Sequence, residues 1–149
     1  MKTKFLAILP LLLAFAALCA ATPEQEKAFV EKYKTAFEAK DTATLESFLY
    51  TEGANPKALE LYKSIVTNSA GEKLANIELV PLTPEEVKKA GETMTLPGGA
   101  KVKLSLRPTR KLKIALKHHG KNISWSSTRE SYVAEQDGKL VIPVPVDAK

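Results

Sequence analysis

The spacing of hydrophobic and polar positions changes about half-way along the chain. In the first half, apolar residues recur every three to four positions, as at Phe29, Tyr33 and Phe37, which is the spacing of one face of an α-helix. In the second half, apolar and polar residues alternate, as over residues 101–106 and 111–117, which is the spacing of a strand with one buried face. The pattern therefore predicts helices followed by strands.

Helix starts are marked by capping residues. Thr22 precedes a proline, and a glutamine three residues beyond it completes a capping box, so a first helix is expected to begin there. Asp41 and Asn55 are expected to cap a second and a third helix, and Thr83 a short fourth one. The spacing of Leu45, Phe48 and Leu49 predicts that the second helix extends to Leu49. These four starts predict a helical first half and one later helical turn.

Turn residues divide the rest of the chain. Gly71 is placed to end the third helix in the left-handed conformation. Asp137 and Gly138 form a hairpin signal, so a final strand should follow over residues 139–144. Pro143 and Pro145 cannot donate to a ladder, so this strand is expected to lie at a sheet edge or to fray early. The earlier strands are predicted over residues 73–82, 93–96, 101–106, 111–117 and 123–134. Helices packed on one face of an antiparallel meander give an α+β fold.

Residues 1–21 have the pattern of a secretion signal. Two lysines are followed by an apolar run over residues 5–18 and then by small residues, which an export machine and a signal peptidase recognise. Cleavage is expected near Thr22, which leaves residues 22–149 as a single domain in the periplasm or outside a bacterial cell. The alternative is an uncleaved membrane anchor, although no basic stop-transfer cluster follows the apolar run.

The one cysteine, Cys19, lies inside the predicted signal. Bacterial lipoproteins carry a small residue directly before the modified cysteine, whereas Leu18 stands here, so lipid anchoring is not expected. Cleavage after Ala21 would remove the cysteine, and the exported domain would then have no disulfide. Its stability is expected to come from its hydrophobic core.

Positive charge is concentrated in the second half. The chain holds 22 Lys and Arg against 17 Asp and Glu, and no acidic residue occurs over residues 101–121. Such a stretch can bind a polyanion, and an exported protein meets lipid head groups, lipopolysaccharide or acidic glycans rather than nucleic acid. The alternative is that these lysines form the solvated face of two strands. The basic surface consists of Lys101, Lys103, Lys111 and Lys113.

Two segments resemble a known superfamily. The first is FVEKYKTAFEAKD at residues 29–41, a helix that ends in a short acidic break before a second helix, and the other is YVAEQDGKLVI at residues 132–142, the closing hairpin. In these patterns the chain is similar to the cystatin-like, cone-shaped superfamily of nuclear transport factor 2 and its SnoaL-type relatives. The resemblance covers nearly all of residues 22–149. It implies a curved sheet whose helical lid encloses a pocket, and a homodimer formed through the outer sheet face.

The strand over residues 124–133 is polar on both faces, unlike a strand that only builds core. If Trp125, Ser127 and Arg129 face inward, an aromatic wall, a hydroxyl and a guanidinium converge on the cavity. That combination suits a small anionic ligand such as a carboxylate or a sulfate-like group. The alternative places this face outside, with Arg129 paired to a surface acid such as Glu135.

Other candidate chemistry is sparse. Tyr33 and Tyr62 lie on apolar helix stripes, where a tyrosine is usually core, and they are the helix residues expected to line the pocket. Asp41 is explained by its capping role. His118 and His119 are adjacent on a strand end and point to opposite faces, a poor arrangement for chelating one ion. No catalytic residue, metal or other cofactor is predicted.

The resemblance leaves two kinds of function open, because some members use the pocket for isomerase, dehydratase or hydrolase chemistry and many use it for binding alone. No acid–base pair suited to proton transfer is identified in this chain. The sequence thus predicts an exported, non-catalytic binding or interaction domain with a cone-shaped pocket. The alternatives are a small lyase, isomerase or hydrolase that uses the same pocket, and a structural subunit of an envelope complex. Such a subunit would fill the pocket with side chains and expose an apolar sheet face.

Overall fold

Apart from two short strands, the helices and strands follow one another in the order that the spacing predicts. The computed structural model describes residues 20–119 and 123–149, so the predicted signal, apart from residues 20 and 21, lies outside the described residues. Within these ranges the helices are α1 (Pro23–Glu38), α2 (Thr42–Glu46), α3 (Pro56–Thr67) and α4 (Pro84–Ala90). The strands are β1 (Leu49–Tyr50), β2 (Leu74–Pro81), β3 (Met94–Thr95), β4 (Lys101–Leu104), β5 (Pro108–His119), β6 (Ser124–Gln136), β7 (Lys139–Pro143) and β8 (Pro145–Asp147). None of the helices in these two ranges is both long and apolar enough to cross a membrane.

Each helix begins at its predicted cap. The side chains of Thr22, Asp41, Asn55 and Thr83 each accept a hydrogen bond from a backbone N–H in the first turn of α1, α2, α3 and α4 respectively. The caps of α1 and α4 are full capping boxes. A helix start leaves its first N–H groups without partners, and a side-chain cap contributes about 1 kcal/mol by satisfying one of them. The predicted helix starts are confirmed.

The main sheet has five strands in the order β1-β7-β6-β5-β2. β5 and β6 pair antiparallel over most of their length, and β6 turns into β7 at the predicted hairpin, where Asp137 and Gly138 have φ values of 51° and 72°. β2 pairs with β5 although α4, β3 and β4 lie between them in the sequence. A second sheet contains β3, β4 and β8.

The core lies between the first three helices and one face of the main sheet. Its fully buried side chains include Tyr33, Phe37 and Leu45 from the helices and Leu112 and Ile114 from β5. Burying a side chain of this size stabilises a fold by about 1.5–3 kcal/mol relative to leaving it exposed. Helices packed on one face of a mostly antiparallel sheet make the chain an α+β domain.

The prediction is wrong at Leu49, which it assigns to the second helix. α2 ends before this residue, and β1 pairs in parallel with β7. The Ile142 N–H of β7 donates to the Phe48 carbonyl at 2.8 Å, and the N–H of Val144, the residue after β7, donates to the Tyr50 carbonyl at 3.2 Å. A short apolar run fits a helix or a buried strand equally well, and here the partner strand determines the outcome.

Of the two expectations for the final strand, the edge position is wrong, because β7 lies between β1 and β6. The N–H groups of Ile142 and Val144 both point toward β1, where they donate to the carbonyls of Phe48 and Tyr50. Because successive backbone nitrogens of a strand point to opposite sides, the nitrogen of Pro143 faces β6. Pairing with β6 has already ended at Val141, and no ladder donor is missing at the proline. The chain then leaves the main sheet, and β8 begins at Pro145 and pairs with β4.

Gly71 has a different role from the predicted one, because α3 ends earlier, at Thr67. The Gly71 N–H donates to the Phe37 carbonyl at 2.7 Å, and its φ is 84°. A Cβ at this position would lie 2.1 Å from the Lys40 side chain. Glycine therefore lets the loop approach the end of α1. Among the strands, β4 is shorter and β5 longer than predicted.

Candidate functional site

Strand β6 presents alternate side chains to the helices. Residues directly opposite each other on antiparallel strands point to the same face. Arg129 is opposite Ile114, and Ser127 is opposite Leu116. Ile114 and Leu116 are 1% and 3% exposed, so Arg129 and Ser127 share the face on which the core is built. This is the inward orientation on which the predicted pocket depends.

Arg129 is bonded within the fold. Its Nη1 donates to the Ile65 carbonyl of α3 at 2.6 Å, and its guanidinium lies 5.7 Å from the centre of the Phe37 ring. The last carbonyls of a helix have no partner within it and form the negative end of the helix dipole. Arg129 therefore caps the C-terminus of α3. Its Nη2 is buried and lacks a hydrogen-bond partner among the described residues.

Both helix tyrosines of the predicted pocket belong to the packed interior. Tyr33 is 1% exposed, and its ring centre lies 5.1 Å from that of Phe48. Burial raises the pKa of the Tyr33 hydroxyl, and the nearby Arg129 cation offsets part of this rise. Burial also raises the pKa of Tyr62, which packs against the core. Neither hydroxyl is prepared to give up a proton at neutral pH.

Trp125 is separated from this interior. It is 55% exposed, and its ring stacks on that of His118 at a centroid distance of 5.2 Å. Four residues along an extended strand correspond to about 13 Å, which is the separation of Trp125 from Arg129 along β6. The structure thus brings Arg129 close to Tyr33 and leaves Trp125 near the far end of the β5–β6 hairpin.

His118 belongs to a side-chain array to which no sequence pattern pointed. Its Nε2 lies 2.8 Å from Ser127 Oγ, and its Nδ1 lies 3.1 Å from Glu72 Oε2. A carboxylate, an imidazole and a hydroxyl in this order are the groups of a nucleophile activated by a general base. Glu72 Oε2 makes no aligned hydrogen bond among the described residues. Glu72 precedes β2, so the pairing of β2 with β5 brings it to His118.

The second histidine points elsewhere. His119 Nδ1 lies 3.2 Å from Ser124 Oγ, on the strand face opposite to His118. No three or more His, Cys, Asp or Glu side chains within residues 20–119 and 123–149 come together in a way that could hold a metal ion. The two imidazoles therefore do not share one site.

Two lysines of the predicted basic surface have carboxylate partners. Lys111 forms ion pairs with Glu86 and, at 3.1 Å, with Glu130, whose other oxygen lies 4.0 Å from Lys113. The hydrogen bond from Lys111 is the main cause that lowers the pKa of Glu86 to about 2. The same bond raises the pKa of Lys111. Much of the positive charge of β5 is thus neutralised locally.

The other two lysines lie on the second sheet. Lys101 and Lys103 are exposed on β4, on either side of the fully buried Val102. Arg107 is also exposed, in the connection between β4 and β5. In the described part of the chain, none of these three cations has a carboxylate within 4.0 Å. This half of the basic surface keeps its charge.

A cleft of about 480 Å³, hereafter the α4 cleft, opens between α4 and the β4–β5 connection. Its lining includes three cations and, among the described residues, no acidic side chain. Its volume is typical of a site for a small ligand. One serine of the lining has a buried Oγ with no hydrogen-bond partner among the described residues. The lining residues used below are Lys88, Lys103, Leu104, Ser105, Leu106 and Arg107.

Comparison with known proteins gives little further information. No protein-family model matches the sequence, and no curated protein matches it either. Among solved structures, the chain is similar to the helical cell shape determining protein Pgp2 from Campylobacter jejuni, with 17% identity and a TM-score of 0.41. The match covers 79% of this chain and 38% of that one. The function of this chain is therefore inferred from the chemistry of its described side chains.

Proposed function

We propose that this chain is an exported, non-catalytic binding domain of the nuclear transport factor 2-like superfamily, and that it attaches to an anionic component of the bacterial envelope. The observation that carries the proposal is the exposed group of Lys101, Lys103 and Arg107, which has no carboxylate partner among the described residues. Cations whose field is not cancelled locally attract polyanions and raise the rate of encounter with them. The export signal and the superfamily are the other premises of the proposal.

The interior supports binding at the surface over chemistry in a pocket. Tyr33 and Phe37 are fully buried and occupy the space beneath the helices. Arg129 donates to the Ile65 carbonyl, so a small anionic ligand at this guanidinium would compete with a helix terminus. A filled interior also fits a structural subunit of an envelope complex, but such a subunit would expose an apolar sheet face as well. The exposed large apolar side chains among the described residues are instead spread over α3, β3 and the region around the start of β6: Leu61, Met94, Ile123 and Trp125.

The test is retention on anionic membranes. The full chain is expressed in a Gram-negative host and recovered from the periplasm, and mass spectrometry is expected to find a mature N-terminus at Ala21 or Thr22. The purified protein is then sedimented with vesicles of phosphatidylcholine, with and without phosphatidylglycerol. We expect binding only to the anionic vesicles and release at high salt. Recovery from the cytosol with Met1 intact, or equal binding to both vesicles, contradicts the proposal.

Ester hydrolysis is a second candidate function, and the array of Glu72, His118 and Ser127 favours it. In this reaction the Ser127 Oγ would attack the carbonyl carbon of an ester while His118 Nε2 takes its proton. His118 would then protonate the leaving alcohol, and water would cleave the acyl-enzyme. Ser127 and Trp125 are exposed, however, so the site does not exclude water as developed hydrolase sites do.

A covalent probe separates the two candidates. A hydrolase is expected to be labelled at Ser127 by a fluorophosphonate and to turn over p-nitrophenyl acetate. Ser127→Ala should abolish both, whereas Ser126→Ala, which removes the neighbouring hydroxyl on the opposite strand face, should abolish neither. A binding domain is expected to show no labelling and no turnover above the rate in buffer.

A further inference from the structure

We propose that the α4 cleft binds the phosphodiester head group of an anionic phospholipid. The inference rests on the proposed function, because it names the site through which attachment to the envelope occurs. The phosphate lies among the three cations, and the glycerol and first methylenes lie against Leu104 and Leu106. Three features of the cleft support this assignment: its charge, the Ser105 hydroxyl and its apolar lining.

Charge complementarity is the first feature. Lys88 comes from α4, Lys103 from β4 and Arg107 from the connection that follows, so three separate segments contribute a cationic residue to the lining of one cleft. In the described part of the chain, no carboxylate lies within ion-pair distance of any of them. Arginine binds phosphate oxygens through two parallel N–H groups, and lysine acts as a point charge. The set therefore fits a phosphate that is reached from several sides.

The Ser105 hydroxyl is the second feature. Ser105 lines the cleft, and its Oγ is buried without a hydrogen-bond partner among the described residues. Buried hydroxyls in folded proteins nearly always have a partner. In the proposed complex the Ser105 side chain turns toward the cleft, and its hydroxyl donates to a phosphate oxygen. The serine is thus expected to serve ligand binding more than the stability of the free protein.

The apolar lining favours a phospholipid over free phosphate. Leu104 and Leu106 are half-buried, and they lie next in sequence to Ser105. Inorganic phosphate would leave these side chains in contact with water, whereas glycerol and the first methylenes of an acyl chain would cover them. A volume of about 480 Å³ accommodates a head group together with this segment.

The C-terminus of α4 also reaches the cleft, and its dipole alone would disfavour an anion. The carbonyls of Lys88 and Lys89 are already satisfied, because they accept backbone N–H groups at 3.1 Å each. The Lys88 side chain adds a full positive charge in the same turn. Three full positive charges outweigh the roughly half charge at a helix end.

The test uses soluble short-chain lipids and the full chain purified from the periplasm. Dihexanoyl phosphatidylglycerol is titrated by isothermal calorimetry below its micellar concentration, beside dihexanoyl phosphatidylcholine and inorganic phosphate. We expect the anionic lipid to bind about tenfold more tightly than either comparison ligand, because it alone combines a net charge with an apolar segment.

Variants locate the site. The double variant Lys103→Gln/Arg107→Gln should weaken phosphatidylglycerol binding about tenfold or more. Ser105→Ala should weaken it about threefold to tenfold and should not lower the stability of the free protein to urea, because the buried hydroxyl makes no hydrogen bond there. The matched control Lys27→Gln/Lys34→Gln removes two exposed charges of α1 and should change the affinity less than about twofold. Circular dichroism verifies that each variant is folded.

The outcomes separate this inference from the proposed function. If the unaltered protein does not bind anionic vesicles, the proposed function fails. If Lys103→Gln/Arg107→Gln loses vesicle binding but still binds the short-chain lipid unchanged, the exposed cations attach the protein to the envelope, so the proposed function stands and the α4 cleft is not the head-group site. If inorganic phosphate binds as tightly as phosphatidylglycerol, the assignment to a phospholipid is overturned.

Discussion

The surroundings of Arg129 and the α4 cleft are built from the same kinds of groups and differ in what the fold supplies to them. Each combines a guanidinium with a hydroxyl and apolar side chains. At Arg129 the chain provides an acceptor, the Ile65 carbonyl, and a ring, Phe37, on which the cation lies. In the cleft, Arg107 has no carboxylate within 4.0 Å and Ser105 Oγ has no hydrogen bond among the described residues. Whether a polar group is available to a ligand depends on the partners that distant segments bring to it.

The two halves of the basic surface show the same contrast. Lys103 and Lys111 each alternate with buried aliphatic residues, so their sequence contexts are alike. Lys111 receives Glu86 from α4 and Glu130 from β6, and its charge is cancelled locally. Lys103 lies on the smaller sheet and receives no such partner in the described part of the chain. The prediction of one continuous basic surface could not include this difference.

The largest effect on stability is expected from Arg129→Ala. The substitution leaves the Ile65 carbonyl without its charged donor and removes the guanidinium from the Phe37 ring. We expect the free energy of unfolding to fall by about 2–3 kcal/mol, as for other hydrogen bonds to charged groups. Urea denaturation followed by circular dichroism measures it. Thr128→Ala, which truncates an exposed neighbour on the opposite face, should change stability by less than about 0.5 kcal/mol. If the two variants were equally stable, the capping role of Arg129 would be contradicted, and its guanidinium would be available to bind a ligand as the sequence predicts.

Asn55→Ala tests the opposite end of α3. The Asn55 Oδ1 accepts from the N–H groups of Lys57 and Ala58 at 3.0 and 3.1 Å, and its Nδ2 donates to Asp147 at 2.6 Å. Loss of this cap should cost about 1–2 kcal/mol in urea denaturation. Asp147→Ala keeps the cap and should cost less. If Asn55→Ala proves more damaging than Arg129→Ala, α3 is held mainly at its N-terminus and the capping role of Arg129 is the lesser one.

Rules that act over a few residues predicted most of the fold. The caps at Thr22 and Asn55 and the hairpin at residues 137–138 depend on neighbours within one turn, and the structure contains all of them. β1 and β8 were missed because they exist only through partners far away in the sequence. A run of two or three residues has no periodicity of its own by which a strand could be recognised.

The candidate site divides in the same way. Alternation along β6 predicted that Trp125, Ser127 and Arg129 share one face, because a strand points successive side chains to opposite faces, but it left open whether that face is the inner one. Its acceptor, the Ile65 carbonyl, was not predictable, since backbone groups leave no mark in the sequence. The α4 cleft forms only where Lys88 and Arg107 come together, and the array at His118 forms only where Glu72 reaches this histidine. Both juxtapositions depend on tertiary packing that no local pattern describes.

Acid titration tests the neutralised half of the basic surface. Pairing with Lys111 is the main cause that lowers the pKa of Glu86 from 4.5 to about 2 in the folded protein, and the hydrogen bonds to Thr83 add to it. A carboxyl with a lowered folded pKa stabilises the fold above its ordinary pKa, and this stabilisation is lost as the pH falls toward the folded value. Lys111→Met should therefore melt at a lower temperature than the unaltered protein above about pH 5, and the two should converge near about pH 2. Lys113→Met, with its longer 4.0 Å contact to Glu130, should show a smaller difference. A difference that does not vary with pH would mean that the lysine stem and not its charge matters.

The smallest effect on folding, and the sharpest contrast in binding, is expected from Lys103→Gln compared with Lys111→Gln. Lys103 is exposed and has no carboxylate partner among the described residues, so its substitution should change the free energy of unfolding by less than about 0.5 kcal/mol. Its charge is nevertheless available to an anion, and binding to phosphatidylglycerol vesicles should weaken measurably and become less sensitive to salt. Lys111→Gln removes a charge that Glu86 and Glu130 already cancel, and it should leave vesicle binding nearly unchanged while lowering stability at neutral pH. Equal losses of vesicle binding in the two variants would show that local pairing does not decide which lysines meet the membrane, because the protein would then act through its total charge.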